Sequence, residues 1–181
     1  LWLIDRLHSE ADVFVVNISS PNTSGLRDLQ KAQALSPLLG SVVDKSKNQY
    51  GKPVLVKLSP DLQAEEFSRS LQTAVSLGVD GFVLTNTTTA REKNSPFPSE
   101  GGVSGRPLAP LSKEALKTAI SELGSKRNGL LLVSVGGVMT CADVFERLEM
   151  GADLVQCYSA LVFAGPSFFK KAAQEWKKRS K

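Results

Sequence analysis

Five short apolar runs limit what this chain can fold into. They begin near residues 13, 53, 82, 130 and 154, and a stretch long enough for a helix separates each from the next. Strands alternating with helix-length segments read as parallel βα units, because parallel neighbours need a crossover that a tight turn cannot supply. A pattern of an acid, then apolar residues, then Asn or Gln recurs from Asp12, Asp80 and Asp153, in every second strand. Alternate strands of an eight-stranded βα barrel feed the same interior layers, so the repeat favours a barrel over an open doubly wound sheet. The residues alone leave both architectures open.

The helix-length segments carry their own punctuation. Residues 1–7 read as the end of a helix packing on the sheet, and Leu26 to Leu39 as a helix closed by Gly40. A second helical piece runs into a solvated loop over Lys45, Ser46, Lys47 and Asn48. Leu62 to Leu77 is expected to be helical, with Ser59 or Asp61 as cap and Gly78 as its end. Further helices are expected over Leu111–Leu123, from Thr140 to near Gly151, and over Phe168–Lys178. The last is basic and amphipathic, with Phe168, Phe169, Ala172 and Trp176 on its apolar side, a stripe that reads as core packing. Arg91 to Gly105 is rich in Pro, Ser and Gly and lacks periodicity, so it reads as a mobile active-site loop.

Composition excludes several classes of function. With 181 residues, 41% of them hydrophobic and 22% charged, the chain has the balance of one globular domain. The net charge of +4 comes largely from the tail Lys170–Lys181, without the interleaved aromatics of a nucleic-acid patch. Cys141 and Cys157 stand alone, so neither a metal site nor a disulfide framework is indicated. No apolar run approaches the roughly 18 residues of a membrane span, and no signal peptide opens the chain. His8 is the only histidine and reads as a helix-end surface residue. A Ser-His-acid triad at Ser20 would need a histidine nearby, so hydrolysis is disfavoured.

The strand ends carry the chemistry. The first apolar run ends in Asn17-Ile18-Ser19-Ser20-Pro21-Asn22-Thr23, and the third in Thr85-Asn86-Thr87-Thr88. Strand ends opening into polar loops are where parallel α/β folds keep their active sites. Three asparagines, Asn17, Asn22 and Asn86, offer donors and acceptors together, which suits a planar heterocycle with imide edges. Lys57 interrupts an apolar strand; a lysine there is costly unless it meets an anion or a polar cavity, or faces water from an edge strand. Gly136-Gly137 and Tyr158-Ser159 follow the last two strands, where a barrel commonly binds phosphate. No Gly-x-Gly-x-x-Gly is present, which leaves a mononucleotide such as a flavin, or a phosphorylated substrate.

These segments occur in a recognisable order. Asn17-Ile-Ser-Ser-Pro-Asn-Thr23, Val56-Lys-Leu-Ser-Pro-Asp61, Thr85-Asn-Thr-Thr88, Gly101-Gly-Val-Ser-Gly-Arg-Pro-Leu108 and Val135-Gly-Gly-Val138 resemble the C-terminal part of a class 2 dihydroorotate dehydrogenase. The likeness runs from about Asp12 to Pro166. It implies a (β/α)8 TIM barrel of which this chain holds about the last five βα units. The opening on Leu1 and a family roughly twice as long imply a fragment, without the first barrel strands and without the N-terminal helical extension that binds quinone and the membrane.

The resemblance also implies roles. In that class dihydroorotate loses a proton to a serine and a hydride to FMN, and a quinone reoxidises the flavin. Ser20 matches the serine, where class 1 enzymes carry cysteine. Asn17, Asn22 and Asn86 match orotate-binding asparagines, with Thr87 beside them. Lys57, Thr85 and Asn17 match flavin contacts, and Ser104, Gly105, Gly136, Gly137, Tyr158 and Ser159 match positions around the ribityl chain and phosphate. A serine hydroxyl must pass its proton on, and Thr23 is one candidate relay. A purely structural reading has Ser20 capping the segment ahead of Pro21.

Two departures stand out. Ser134 occupies a position where the family usually has glycine, and the loop from Arg91 to Glu100 looks shortened. The implied location is peripheral to the mitochondrial inner membrane or to a bacterial cytoplasmic membrane. Competing readings are a class 1 dihydroorotate dehydrogenase, a flavin-dependent tRNA dihydrouridine synthase, and a partial barrel kept as a structural or interaction module. Ser20 in place of cysteine weighs against the first, and the lack of both a catalytic cysteine and an RNA-facing basic patch against the second.

Overall fold

In the computed structural model, which describes residues 1–179, five parallel strands form one sheet. They are β1 (Phe14–Asn17), β2 (Val54–Leu58), β3 (Gly81–Leu84), β4 (Leu131–Val135) and β5 (Leu154–Gln156), and their order in space is their order in sequence. A doubly wound sheet reverses its strand order part-way, whereas here every crossover advances the same way. That is the winding of a barrel wall. The register is continuous, with Asn17 beside Lys57, Lys57 beside Val83, and Val83 beside Val133.

Helices cover one face of the sheet. Val54, Val56, Leu58, Phe82, Leu84 and Leu132 pack there against Leu35 and Leu39 of α2 (Ala32–Val43), Phe67 and Leu71 of α3 (Ala64–Ser76), and Leu116 and Ala119 of α4 (Ala109–Leu123). Truncating a fully buried leucine such as Leu39, Leu71 or Leu116 to alanine would cost about 2–5 kcal/mol. The opposite face gathers only strand residues: Leu55, Val83 and Val133, with Leu131 and Val135 against them. Period-two alternation thus separates a helix-covered outer face from a barrel-type inner face, and Lys57 lies on the inner side.

The remaining helices are α1 (Trp2–Leu7), α5 (Cys141–Glu149), α6 (Ser159–Ala164) and α7 (Ser167–Arg179). Thr140 caps α5 in a reciprocal capping box with Asp143. Phe168 and Ala172 of α7 are buried, and the Trp176 ring meets Phe145 at 5.5 Å, so the expected apolar stripe does pack inward; Phe169 stays 47% exposed.

Several boundaries differ from expectation. Gly40 does not end its helix, which continues to Val43 and then widens into a π-helical turn over Asp44–Gln49. The presumed solvated loop 45–48 is therefore ordered backbone, with Ser46 buried and donating to Lys52 O. Lys47 reaches Asp80 at 2.6 Å. Helix α3 begins at Ala64 without a side-chain cap, since Ser59 and Asp61 are engaged elsewhere. The last strand stops at Gln156 because Ser159 already belongs to α6.

The recurring acids belong to the N-terminal end of the sheet. Asp80 Oδ2 accepts from Val54 N at 2.9 Å, and Asp153 Oδ2 accepts from Leu132 N at 2.7 Å. Each carboxylate staples the start of the preceding strand to its own. Asp12 precedes β1, the sheet edge, and has no such neighbour strand among the described residues.

Candidate functional site

The C-terminal ends of the strands surround a cleft of about 270 Å3. That is a little below the roughly 300–1,000 Å3 typical of small-molecule sites. Lys57 from β2, Thr85, Asn86 and Thr87 after β3, Gly136 and Gly137 after β4, and Tyr158 and Ser159 after β5 all line it. Ser104 and Gly105 enter from the long connection between β3 and α4. Residues marked from sequence at five separate places therefore meet at one cavity.

The asparagines form a network on the rim. Asn86 Nδ2 donates to Asn17 Oδ1 at 3.1 Å and to Ser19 Oγ at 3.0 Å, while Ser19 Oγ donates to Asn17 Oδ1 at 3.1 Å. Asn86 Oδ1 in turn accepts from Thr87 N at 2.8 Å. With Oδ1 so engaged, Asn17 has its Nδ2 donor left to offer a ligand. Ser19, fully buried, was not singled out from sequence; its hydroxyl fixes the amide orientations of both asparagines.

Ser20 and Asn22 lie on the loop beyond this network and not among the residues lining the cleft. Ser20 Oγ accepts from Asn22 N at 3.3 Å, a local turn of the kind that serine makes ahead of proline. The hydroxyl proton is not used by that contact, so a turn role and a chemical role are compatible. Thr23 is exposed, with its carbonyl accepting from Leu26 N at 3.3 Å.

Gly101 and Gly102 close over the same loop. A Cβ on Gly102 would lie 1.9 Å from Thr87 Oγ1 and 3.0 Å from Pro21 Cγ. A bridge between Thr88 and Val103 pins this connection at its ends, and Arg91 donates to the carbonyls of Pro98 and Gly101 within it.

Arg27 is the main residue that the sequence reading passed over. It donates to Ser19 O at 3.2 Å, to Asp61 Oδ2 at 2.9 Å and to Thr87 O at 3.1 Å, and so joins the loops after β1, β2 and β3. Asp61 also accepts from the Thr88 hydroxyl and from Thr89 N at 2.8 Å. Burial pushes the Asp61 carboxyl up, but the bonds from Thr88, Thr89 and Arg27 outweigh it and hold the pKa below its ordinary value. Sequence offered a weak signal only: an arginine and an aspartate 34 positions apart, each beside a site motif.

Lys57 does not sit on an edge strand, since β2 lies between β1 and β3. Half-buried against the cleft, its ammonium is pushed below its ordinary pKa by desolvation. His8 stacks on Tyr50 at 3.9 Å. Tyr50 precedes β2, so the histidine belongs to the end of the sheet opposite Ser20, which rules out a triad with it. No group of three or more metal-ligating side chains occurs among the described residues.

A family model described as dihydroorotate dehydrogenase matches residues 2–179. The chain belongs to the dihydroorotate dehydrogenase family. The dihydroorotate dehydrogenase (quinone) of Streptomyces coelicolor is 45% identical over 171 residues, covering 90% of this chain and 46% of that protein. The protein of the same name from Kocuria rhizophila is 46% identical over 166 residues, covering 86% and 45%. A crystal structure of dihydroorotate dehydrogenase from Eimeria tenella in complex with ferulenol matches with a TM-score of 0.83 at 28% identity, over 97% of this chain and 51% of that one. The chain thus spans about half the length of the relatives it matches. Membership in the dihydroorotate dehydrogenase family displaces the tRNA dihydrouridine synthase alternative.

Proposed function

We propose that the protein containing this chain oxidises dihydroorotate to orotate in pyrimidine synthesis, with FMN in the cleft and a quinone as final acceptor. The observation that carries the reading is the hydrogen-bonded network of the Asn17 and Asn86 carboxamides with the Ser19 hydroxyl, on the rim of a cleft that Lys57 also lines. Relatives named for quinone dependence support the choice of acceptor, and serine at position 20 favours it over a class 1 enzyme.

The donor set fits a flavin mononucleotide. Lys57 supplies one cation, Ser104 and Ser159 supply hydroxyls 3.3 Å apart, and the Gly136-Gly137 pair exposes backbone, with Leu108, Val135 and Val138 forming an apolar wall. Bound flavin would supply a two-electron acceptor for the hydride leaving the substrate. Asn17, Asn22, Asn86 and Thr87 bind the imide and carboxylate edges of the substrate. Ser20 takes the proton from the substrate carbon and hands it to water or a neighbouring hydroxyl as it arrives, since a serine alkoxide does not persist at neutral pH. Lys57 and Thr85, which line the cleft, would hold the flavin ring, and Gly105 and Tyr158 would hold the rest of the cofactor.

The same reading assigns the rest of the barrel to strands preceding β1. It assigns the quinone site to a helical extension that rests on the mitochondrial inner membrane or a bacterial cytoplasmic membrane. No helix among the described residues is long and apolar enough to cross a membrane.

The test is anaerobic addition of dihydroorotate to the purified full-length protein while the visible spectrum is followed. Bleaching of a flavin band supports the reading. A flavin that never bleaches removes the substrate, and a colourless protein that refuses added FMN leaves a structural module.

A further inference from the structure

We infer that Arg147 is a positioning residue for a bound phosphate, acting through the peptide that joins Gly136 to Gly137; the inference rests on the flavin reading of the cleft. Arg147 lies on α5 behind the cleft and is 1% exposed. Its Nη2 donates to Gly136 O at 3.0 Å and to Ser112 Oγ at 2.9 Å, and its Nη1 donates to Ser134 Oγ at 3.0 Å. Ser112 Oγ donates to the same Gly136 carbonyl at 2.6 Å.

Two donors therefore hold that carbonyl toward the interior. In a trans peptide the C=O and the following N–H point in opposite directions. The Gly137 N–H is consequently turned away from Arg147, toward the side where both glycines line the cleft. Positive φ at both residues, 117° and 73°, gives the pair a conformation that a side chain would oppose.

Charge points the same way. A guanidinium this buried is expected to face a carboxylate. Among the described residues none forms an ion pair with Arg147, its other partners are carbonyls and hydroxyls, and its Nε has no hydrogen-bond partner. The positive charge lies directly behind the glycine loop; Asp143 and Glu146 of the same helix act on it without pairing with it, and a phosphate on the cleft side of that loop would supply a further counter-charge. Ser134 fits this arrangement. Its buried hydroxyl is the acceptor for Nη1.

The experiment compares binding of FMN and of riboflavin, which lacks the phosphate, to the full-length protein by flavin fluorescence. Arg147→Met should weaken FMN about tenfold, ~1.4 kcal/mol, and leave riboflavin unchanged, while Arg147→Lys, which keeps the charge, recovers most of the loss. Where the methionine variant does not fold, Arg147→Gln takes its place with the same expectation. Equal weakening of both ligands makes Arg147 a structural crosslink only and overturns the inference, as does no change in either. A natural protein that binds riboflavin as tightly as FMN overturns the phosphate role while sparing the flavin reading. One that binds neither overturns both.

Discussion

Arg27 Nη1 and Asp61 Oδ2 are 2.9 Å apart, and this pair ties the loop after β2, which carries Asp61, to the loops after β1 and β3, which carry Ser20, Asn22, Asn86 and Thr87. Only about a quarter of the Arg27 side chain and less of Asp61 is exposed, so the pair is poorly screened and each partner depends on the other. Asp61→Ala leaves the guanidinium and the Thr88 and Thr89 donors without their acceptor. It should cost about 2–3 kcal/mol of stability and lower turnover of dihydroorotate. The Asp61 pKa lies below its unfolded value near 3.9, so its contribution is fully present above that value and is lost as the pH falls through the folded pKa. Asp61→Asn should therefore flatten the acid limb of a stability-against-pH curve. An unchanged limb would mean that the network is not held by this charge.

Lys57 points to an opposite balance. Desolvation lowers its pKa in the folded protein, so the ammonium opposes folding when no anion faces it. Between the folded value and the unfolded value near 10.4, stability should rise with pH. Lys57→Met should melt higher than the natural protein when flavin is absent and should reduce flavin more slowly with dihydroorotate. Thermal melts with and without FMN check this. A lower melting point for the flavin-free variant would show that the lysine already has a stabilising partner.

The parts legible in the sequence were those with a local cause. Short apolar runs spaced by helix-length segments located all five strands, and Gly136-Gly137, Thr85-Asn86-Thr87 and Tyr158-Ser159 were found because strand ends declare themselves by an abrupt change from apolar to polar. What escaped was non-local. Asp61 looked like a helix cap because it precedes a helix, but its partners Arg27, Thr88 and Thr89 reach it only once β1, β2 and β3 lie side by side. Ser19 and Ser20 are neighbours in sequence, and only the fold distinguishes the hydroxyl buried between two asparagines from the one left on the loop. The acid repeat was real but was read as a sign of barrel layers. Asp80 and Asp153 instead staple strand starts at the far end of the sheet.

Gly102 leaves no room for a side chain. A methyl group there would lie 1.9 Å from Thr87 Oγ1 and 2.6 Å from Thr87 Cβ, so either the covering loop or the threonine must move. Both lie at the rim and not in the main core, and the cost should fall on the site more than on the fold. Gly102→Ala should raise the KM for dihydroorotate on the order of tenfold with a melting temperature close to that of the natural protein. A large drop in melting temperature with unchanged KM would place the loop among the stability elements instead.

Ser20 has two roles to separate. Its oxygen accepts the Asn22 backbone N–H at 3.3 Å, which shapes the turn, while its proton remains available for chemistry. Removing the hydroxyl abolishes both, so Ser20→Ala alone is ambiguous; Ser20→Thr keeps the acceptor and the base but crowds the turn, and Ser20→Cys keeps a proton-accepting atom and weakens the turn bond. If Ser20 is the base, the alanine variant should slow anaerobic flavin bleaching by roughly 10²–10⁴-fold while orotate still binds with near-natural affinity, and cysteine should recover part of the rate with a shifted pH profile. If the turn is all that matters, alanine should weaken orotate binding and slow bleaching together, and threonine should outperform cysteine on both.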